Sequence, residues 1–176
     1  MSDENHPKPV RIAVLTVSDT RTEETDTSGR LLVERIQAFG HTLVEKRIVQ
    51  DDPNHIELSV ISWMEDTGVD VILSTGGTGI TGRDVTVDVF ERLYTKSIPG
   101  FGELFRMLSY KEIGSSTIQS RASGGLAGET LLFALPGSTG AVRLAWDAIL
   151  KAQLDSTHRP CNLVELMPRF SEGRQG

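Results

Sequence analysis

Val69-Asp70-Val71-Ile72-Leu73-Ser74-Thr75-Gly76-Gly77-Thr78-Gly79 runs from a short apolar segment straight into a bare glycine loop. Glycines let a backbone turn through φ > 0 and approach a ligand closely. Thr75 and Thr78 add hydroxyls, and the freed N–H groups can face an anion. Arg83 and Asp84 follow within a few residues, ahead of a helix-like stretch. A strand that ends in a donor-rich loop, with a cation and a carboxylate just beyond it, suits a phosphorylated ligand better than a plain turn. Gly77 to Gly82 also satisfies G-x-G-x-x-G, but Ile80, Thr81 and Gly82 start a helix poorly and no strand pattern follows before Gly100. The dinucleotide reading needs both features and is rejected. No G-x-x-x-x-G-K-[ST] is present, so the loop is not a P-loop.

Working outward, Val10 to Val17 and Thr130 to Leu135 read as buried strands, rich in branched and apolar residues. Thr42 to Val49 reads as another, and Val69 to Ser74 leads into the loop. Between them lie helical patterns. Leu31, Leu32, Ile36 and Phe39 follow candidate caps Asp26, Thr27 and Ser28, with Gly40 closing the helix. Ile56, Val60, Ile61 and Met64 form a face over Asn54 to Asp66. Thr86 is a candidate cap for a helix burying Val89, Phe90 and Leu93, with Asp88 suited to its dipole. Phe101, Leu104, Phe105 and Leu108 recur at i, i+3, i+4 and i+7. Gly114 to Gly128 is mixed and glycine-rich, Ala141 to Leu154 is a final helix, and His158 to Phe170 is an extended tail packed on the body. Residues 10–170 are expected as one domain between a loose tail (1–9) and a frayed end (171–176).

This alternation predicts an α/β fold, a three-layer sandwich around a mostly parallel sheet. In such sheets ligands sit beyond the carboxyl ends of the strands. The predicted strands end in Ser18-Asp19, Asp51-Asp52, the glycine loop and Pro136-Gly137-Ser138, which this rule gathers on one edge.

Composition bounds the partners. The chain has 176 residues, 38% hydrophobic and 24% charged, with a net charge of −6. That balance disfavours nucleic-acid or membrane-surface binding. Cys161 is the one cysteine, read as a small buried residue, so no intrachain disulfide forms and a reducing compartment fits. The N-terminus is no signal peptide, no apolar run approaches transmembrane length, and a cytoplasmic location is expected.

The edge offers Asp19, Asp51, Asp84 and Asp88, with Arg83, Arg106 and Arg121 as nearby cations. Carboxylates plus phosphate oxygens are how Mg²⁺ is usually held. The set fits phosphoryl or nucleotidyl transfer, in which positioning and charge neutralisation carry most of the catalysis. It fits acyl transfer poorly, since no G-x-S-x-G elbow is present. The histidines His6, His41, His55 and His158 lack zinc-ligand spacing. Taken singly, each feature has a plainer reading: a glycine turn, a capping aspartate, a solvated or paired arginine, a phenylalanine stripe in the core or at a subunit interface.

Taken together, the motifs resemble the MogA/MoaB molybdenum cofactor biosynthesis family, also found as a domain in gephyrin. The matches are Thr75-Gly76-Gly77-Thr78-Gly79, Arg83-Asp84-Val85-Thr86, Pro99-Gly100-Phe101-Gly102-Glu103, Ser120-Arg121 and Leu135-Pro136-Gly137, in the family's order. The helix Phe101 to Glu112, Ile118-Gln119-Ser120-Arg121 and Arg159-Pro160-Cys161-Asn162 look like the MoaB branch. The resemblance implies a molybdopterin-binding fold and a molybdopterin adenylyltransferase reaction, with ATP and molybdopterin as substrates and Mg²⁺ as cofactor. It places the essential, metal-holding aspartates at Asp51 and Asp84. It implies ligand contacts at Thr75, Gly76, Gly77, Thr78, Gly79, Ser120, Arg121, Pro136, Gly137 and Ser138. It also implies a homo-oligomer, trimer or hexamer. A non-catalytic molybdopterin-binding or carrier protein, a vestigial interaction module, and molybdate insertion in the same pocket stay open beside it.

Overall fold

The structure is a computed structural model that describes residues 6–173. The parts of the two expected tails at 1–5 and 174–176 lie outside the described residues. Six strands form one sheet in the order β2-β1-β3-β6-β5-β4. β1 (Arg11–Val17), β2 (Thr42–Val49), β3 (Val71–Thr75) and β6 (Thr130–Leu135) run parallel. β5 (Ser123–Ala127) and β4 (Lys96–Ser97) are antiparallel additions at one edge. The predicted fold class is therefore observed, with a sheet that is parallel where the strand ends carry polar loops.

Alternation along the buried strands sorts the helices into two layers. Ile12, Val14, Leu73, Leu131 and Phe133 face α1 (Thr27–Ala38), α4 (Pro99–Ile113) and α5 (Thr139–Ala145). α5 passes through a π turn (Trp146–Leu150) into the short α6 (Lys151–Gln153). Ala13, Leu15, Ile72, Leu132 and Ala134 face α2 (Pro53–Glu65) and α3 (Thr86–Leu93). Burial on both faces explains why β3 and β6 read as unbroken apolar runs.

The structure corrects several expectations. β4 and β5 went unpredicted, and β4 falls before Gly100, where no strand pattern was seen. A two-residue edge strand has no periodicity to detect. β5 reads as a loop because of Gly124 and Gly125, which lie against the rings of Phe133 and Tyr94, where a Cβ would meet aromatic carbons at 2.7 and 2.5 Å. On α2 the buried residues are Ile56, Ser59, Val60 and Trp63, with Trp63 donating from Nε1 to Glu45 at 2.8 Å. Thr86 is no cap: it opens α3 with Val85 before it, and its hydroxyl donates to the Gly76 carbonyl at 2.9 Å. Leu104 lies at the rim of the core, 38% exposed beside an apolar cavity it lines with Phe101 and Phe133, while Phe101 and Phe105 are core. Cys161 is exposed. The segment expected as an extended tail holds a 3₁₀ helix, Val164–Arg169. Among the described residues no helix is long and apolar enough to cross a membrane.

Candidate functional site

Because β1, β2, β3 and β6 are parallel, their carboxyl ends share one edge, as the sequence required. Hydrogen bonds tie these ends together. Ser18 N–H donates to the Val49 carbonyl at 2.9 Å, and Asp51 N–H to the Asp19 carboxylate at 3.1 Å. Gly76 N–H donates to Leu135 at 3.0 Å, and the Thr75 hydroxyl to the Pro136 carbonyl at 2.9 Å. Each strand end thus fixes its neighbour.

The glycine loop needs its glycines. Gly76 and Gly77 sit at φ +99° and +69°, where L side chains are strained. A Cβ on Gly76 would also strike the Val17 carbonyl, and one on Gly77 the Thr86 hydroxyl. The loop is then clamped from outside by Arg121. Its guanidinium donates to the carbonyls of Gly79 (2.7 Å) and Asp84 (2.8 Å) and to both Asp88 oxygens (3.1 Å each). Arg121 N–H also donates to the Thr78 carbonyl at 2.9 Å. Hydrogen bonding and charge from Arg121 hold the Asp88 carboxyl below the usual carboxylate range. So Arg121, expected as a ligand contact, is already engaged as a clamp on the loop.

Asp84 folds back over the same loop. One of its oxygens accepts from the Thr81 N–H at 2.9 Å and the Thr81 hydroxyl at 2.7 Å. Burial alone would raise its pKa, but these bonds, the Gly79 N–H and the nearby Arg121 charge bring it below the ordinary value. Asp51 differs. Burial first, then the charges of Asp19 and Asp84, push its carboxyl above the usual range, against the N–H of Asp19 and the more distant Arg83. Arg83 itself pairs with Asp19 at 2.8 Å.

Part of the predicted set divides among three depressions around the loop, while Asp51, Gly77, Thr78, Gly79, Pro136 and Ser138 line none of these three. Thr75, Gly76 and Gly137 line a cleft of about 290 Å³ together with Thr16, Ser18 and Ser28. Asp84, Asp88 and Arg121 line an open hollow on the other side. Ser120 and Arg121 border a larger polar one, beside Arg106 and Glu103. Ser138 caps α5, its hydroxyl accepting from Ala141 N–H at 3.2 Å. Arg106 donates to the carbonyls of Ala122 (3.0 Å) and Ser120 (3.4 Å).

The first cleft contains residues that the sequence reading passed over. Asp26 caps α1 and is 2% exposed. It accepts from the Thr16 hydroxyl (2.6 Å), Gly29 N–H (2.9 Å) and Lys46 (2.9 Å). Burial would raise its pKa, but Thr16, Gly29 and Lys46 outweigh that and lower it. Ser28 donates to the Gly137 carbonyl at 2.8 Å, joining the start of α1 to the end of β6. The cap cluster 26–28 was visible in sequence; its place in the cleft depended on the fold.

Among the described residues no three His, Cys, Asp or Glu side chains gather into a metal cage. Mg²⁺ needs no cage, being held by one or two carboxylates with waters and phosphate oxygens. Burial first and then the like charges of Asp19 and Asp84 push the Asp51 carboxyl up, and a cation bound there would relieve that repulsion.

The comparison with known proteins agrees with this architecture. The family described as "Probable molybdopterin binding domain" matches residues 13–156. The chain belongs to this family. Molybdenum cofactor biosynthesis protein B of Escherichia coli K12 is 50% identical over 154 residues, spanning 88% of this chain and 91% of that one. The protein of the same name from Bacillus anthracis is 52% identical over 149 residues, 84% and 88% of the two chains. A crystal structure of a molybdenum cofactor biosynthesis protein B superposes with a TM-score of 0.84 at 46% identity, covering 93% of this chain and 97% of that one. A tungsten cofactor synthesizing protein MoaB from Pyrococcus furiosus gives 0.73 at 36% identity, over 82% and 92%. As a family member the chain carries the expected glycine loop and both expected aspartates in one fold.

Proposed function

We propose that this chain acts in molybdenum cofactor biosynthesis as a molybdopterin adenylyltransferase, converting molybdopterin and ATP to adenylylated molybdopterin and pyrophosphate. The observation that carries the reading is the placement of Asp51 and Asp84 on one sheet edge, Asp51 after the end of β2 and Asp84 after the glycine loop that follows β3, in a sheet where β1, β2 and β3 run parallel. The nucleophile is the terminal phosphate of molybdopterin. The second pKa of a phosphate monoester is about 6, so it is largely dianionic near neutrality. One of its oxygens bonds to the α-phosphorus of ATP while the bond from that phosphorus to the bridging oxygen breaks. Pyrophosphate leaves with that electron pair.

No protein base is required, and the work of the chain is to hold two anions together. The loop at Thr75–Gly79 would offer a phosphate the donors left over once the Gly76 N–H has gone to Leu135 and the Thr75 hydroxyl to Pro136. Arg121 keeps that loop in shape by holding its carbonyls. Asp51 and Asp84 would hold Mg²⁺, directly or through water, and the ion would neutralise the phosphate charge.

A second reading, molybdopterin binding without turnover, is supported by a different observation. Arg83 and Arg121 are paired with Asp19 and Asp88, and Asp84 is occupied by Thr81. The test is incubation with molybdopterin, ATP and Mg²⁺, following pyrophosphate and adenylylated pterin. Product formation that is lost in Asp51→Asn and Asp84→Asn is the expected result. Tight pterin binding with no product would replace the first reading by the second.

A further inference from the structure

Gly102 stands inside α4, where a glycine weakens a helix. Its backbone is helical and needs no positive φ. Space is what requires it. A Cβ at this position would stand 2.5 Å from the Ala122 carbonyl oxygen and 2.8 and 2.9 Å from Nη2 and Nη1 of Arg106. α4 therefore lies directly against the segment that enters β5, and the Arg106 side chain lies back over the bare Cα of Gly102. From there its Nη1 donates to the carbonyls of Ala122 (3.0 Å) and Ser120 (3.4 Å). Among the described residues no carboxylate forms an ion pair with this guanidinium. Its charge goes instead to two backbone oxygens that flank Arg121.

We propose that Arg106 is a positioning residue for the glycine loop: it fixes the backbone on either side of Arg121, so that Arg121 can hold the loop in the shape that receives a phosphate. Arg121 reaches the Gly79 and Asp84 carbonyls at 2.7 and 2.8 Å from the end of a long side chain. Hydrogen bonds that short are lost when the backbone that carries the donor shifts by about 1 Å. The Arg121 N–H, bonded to the Thr78 carbonyl at 2.9 Å, sets one side of that backbone. Arg106 sets the other, carbonyl side. The series runs from α4 through residues 120–122 and the Arg121 side chain to Gly79. Arginine suits the post, since a planar guanidinium addresses carbonyls in a fixed geometry where an ammonium is a mobile point charge. The step from loop shape to ligand affinity rests on the phosphate-holding role proposed for the loop; the coupling of Arg106 to the loop does not.

Hydrogen exchange in the substrate-free protein tests it. Three amides report on the loop: Asp84, Thr86 and Arg121, which donate to Thr81, Gly77 and Thr78. Arg106→Ala should speed their exchange about 10- to 100-fold, the worth of a charge-assisted hydrogen bond, and leave the amides of β1 and β3 at wild-type rates. Gly102→Ala keeps the guanidinium but pushes it off the Ala122 carbonyl, and should do the same. Alanine favours a helix, so a loosened loop in that variant cannot come from a weaker α4. Arg106→Lys, with one donor left toward a carbonyl, should fall between. Arg121→Ala alone should loosen the loop, and adding Arg106→Ala should speed Asp84 and Thr86 no further, the non-additivity of residues that act in series. The proposal is overturned by loop amides that keep wild-type rates in both Arg106→Ala and Gly102→Ala, by acceleration that spreads equally to β1 and β3, or by effects that add in the double variant. With substrates present, Arg106→Ala should raise the KM for molybdopterin or for ATP about tenfold; two unchanged KM values would overturn the phosphate step. A wild type with no AMP transfer would remove the adenylyltransferase reading and leave the exchange result to decide the coupling.

Discussion

Asp84 and Asp51 stand at the same sheet edge, and their surroundings pull them in opposite directions. Asp84 is held by Thr81 and Gly79 donors and has its pKa lowered. Asp51 is raised by burial and by the like charges of Asp19 and Asp84. One carboxylate belongs to the architecture of the loop, and the other is disfavoured as a carboxylate by burial and by its acidic neighbours. The resemblance implies an equal pair at Asp51 and Asp84; in the fold the two carboxylates have unlike surroundings.

The most forceful way to break this comparison is turnover. Asp51→Asn and Asp84→Asn should each lower AMP transfer by about 10²-fold or more, the scale on which preorganised charge stabilisation acts. Pyrophosphate release measures it, and a variant with normal turnover would remove that aspartate from the mechanism. Gly77→Ala tests the loop that Asp84 organises. Left-handed backbone costs about 1–2 kcal/mol, and crowding against Thr86 adds about 1–3 kcal/mol. Urea denaturation should therefore show a loss of about 2–4 kcal/mol. Gly82→Ala, with open space around it, should stay within about 0.5 kcal/mol of wild type.

The two aspartates should also separate in stability. Asp84→Ala removes the acceptor for Thr81 and should cost about 1–3 kcal/mol. Asp51→Ala relieves repulsion and should leave the free protein as stable or slightly more so. Equal losses at both positions would erase the distinction. The finest test is pH. A lowered folded pKa makes the contribution of Asp84 complete above its ordinary value near 3.8 and lost as pH falls below it. The raised folded pKa of Asp51 works in reverse: its favourable contribution is present below that value and is lost as pH rises through its folded pKa. Asp84→Asn should flatten the acid arm of the stability curve below about pH 3.8, and Asp51→Asn should remove the opposing slope just above it.

Legibility in the sequence followed the physics. Of the parallel strands, β1, β3 and β6 were readable because burial on both faces leaves unbroken apolar runs, while β2 at the sheet edge is partly exposed and carries Glu45, Lys46 and Arg47; the polar strand ends revealed the edge. The glycine loop was readable because positive φ leaves a compositional trace. β4 and β5 were hidden, since a two-residue strand and a glycine-rich one lack periodicity. Arg121 was found, but its work on three backbone carbonyls and Asp88 was not, because those partners are brought to it by the crossover connections. Asp26 was seen as a cap and missed as part of the cleft wall, since nothing local in the sequence tells a buried cap from an exposed one. The face of Phe101, Leu104, Phe105 and Leu108 was legible, but spacing alone does not show that Leu104 lies at its rim, 38% exposed.

The glycine loop is completed by residues far ahead of it in the chain: Thr75 bonds to Pro136 across 61 positions, and Gly79 to Arg121 across 42. In synthesis the loop therefore emerges as sequence well before it exists as a shape. The segments from β1 to β3 can collapse on one another from local contacts, but β6 must close a long chain loop before Gly76 finds its carbonyl. A nascent chain halted before residue 121 would hold every residue of the loop, together with Asp51 and Asp84, and still lack the site.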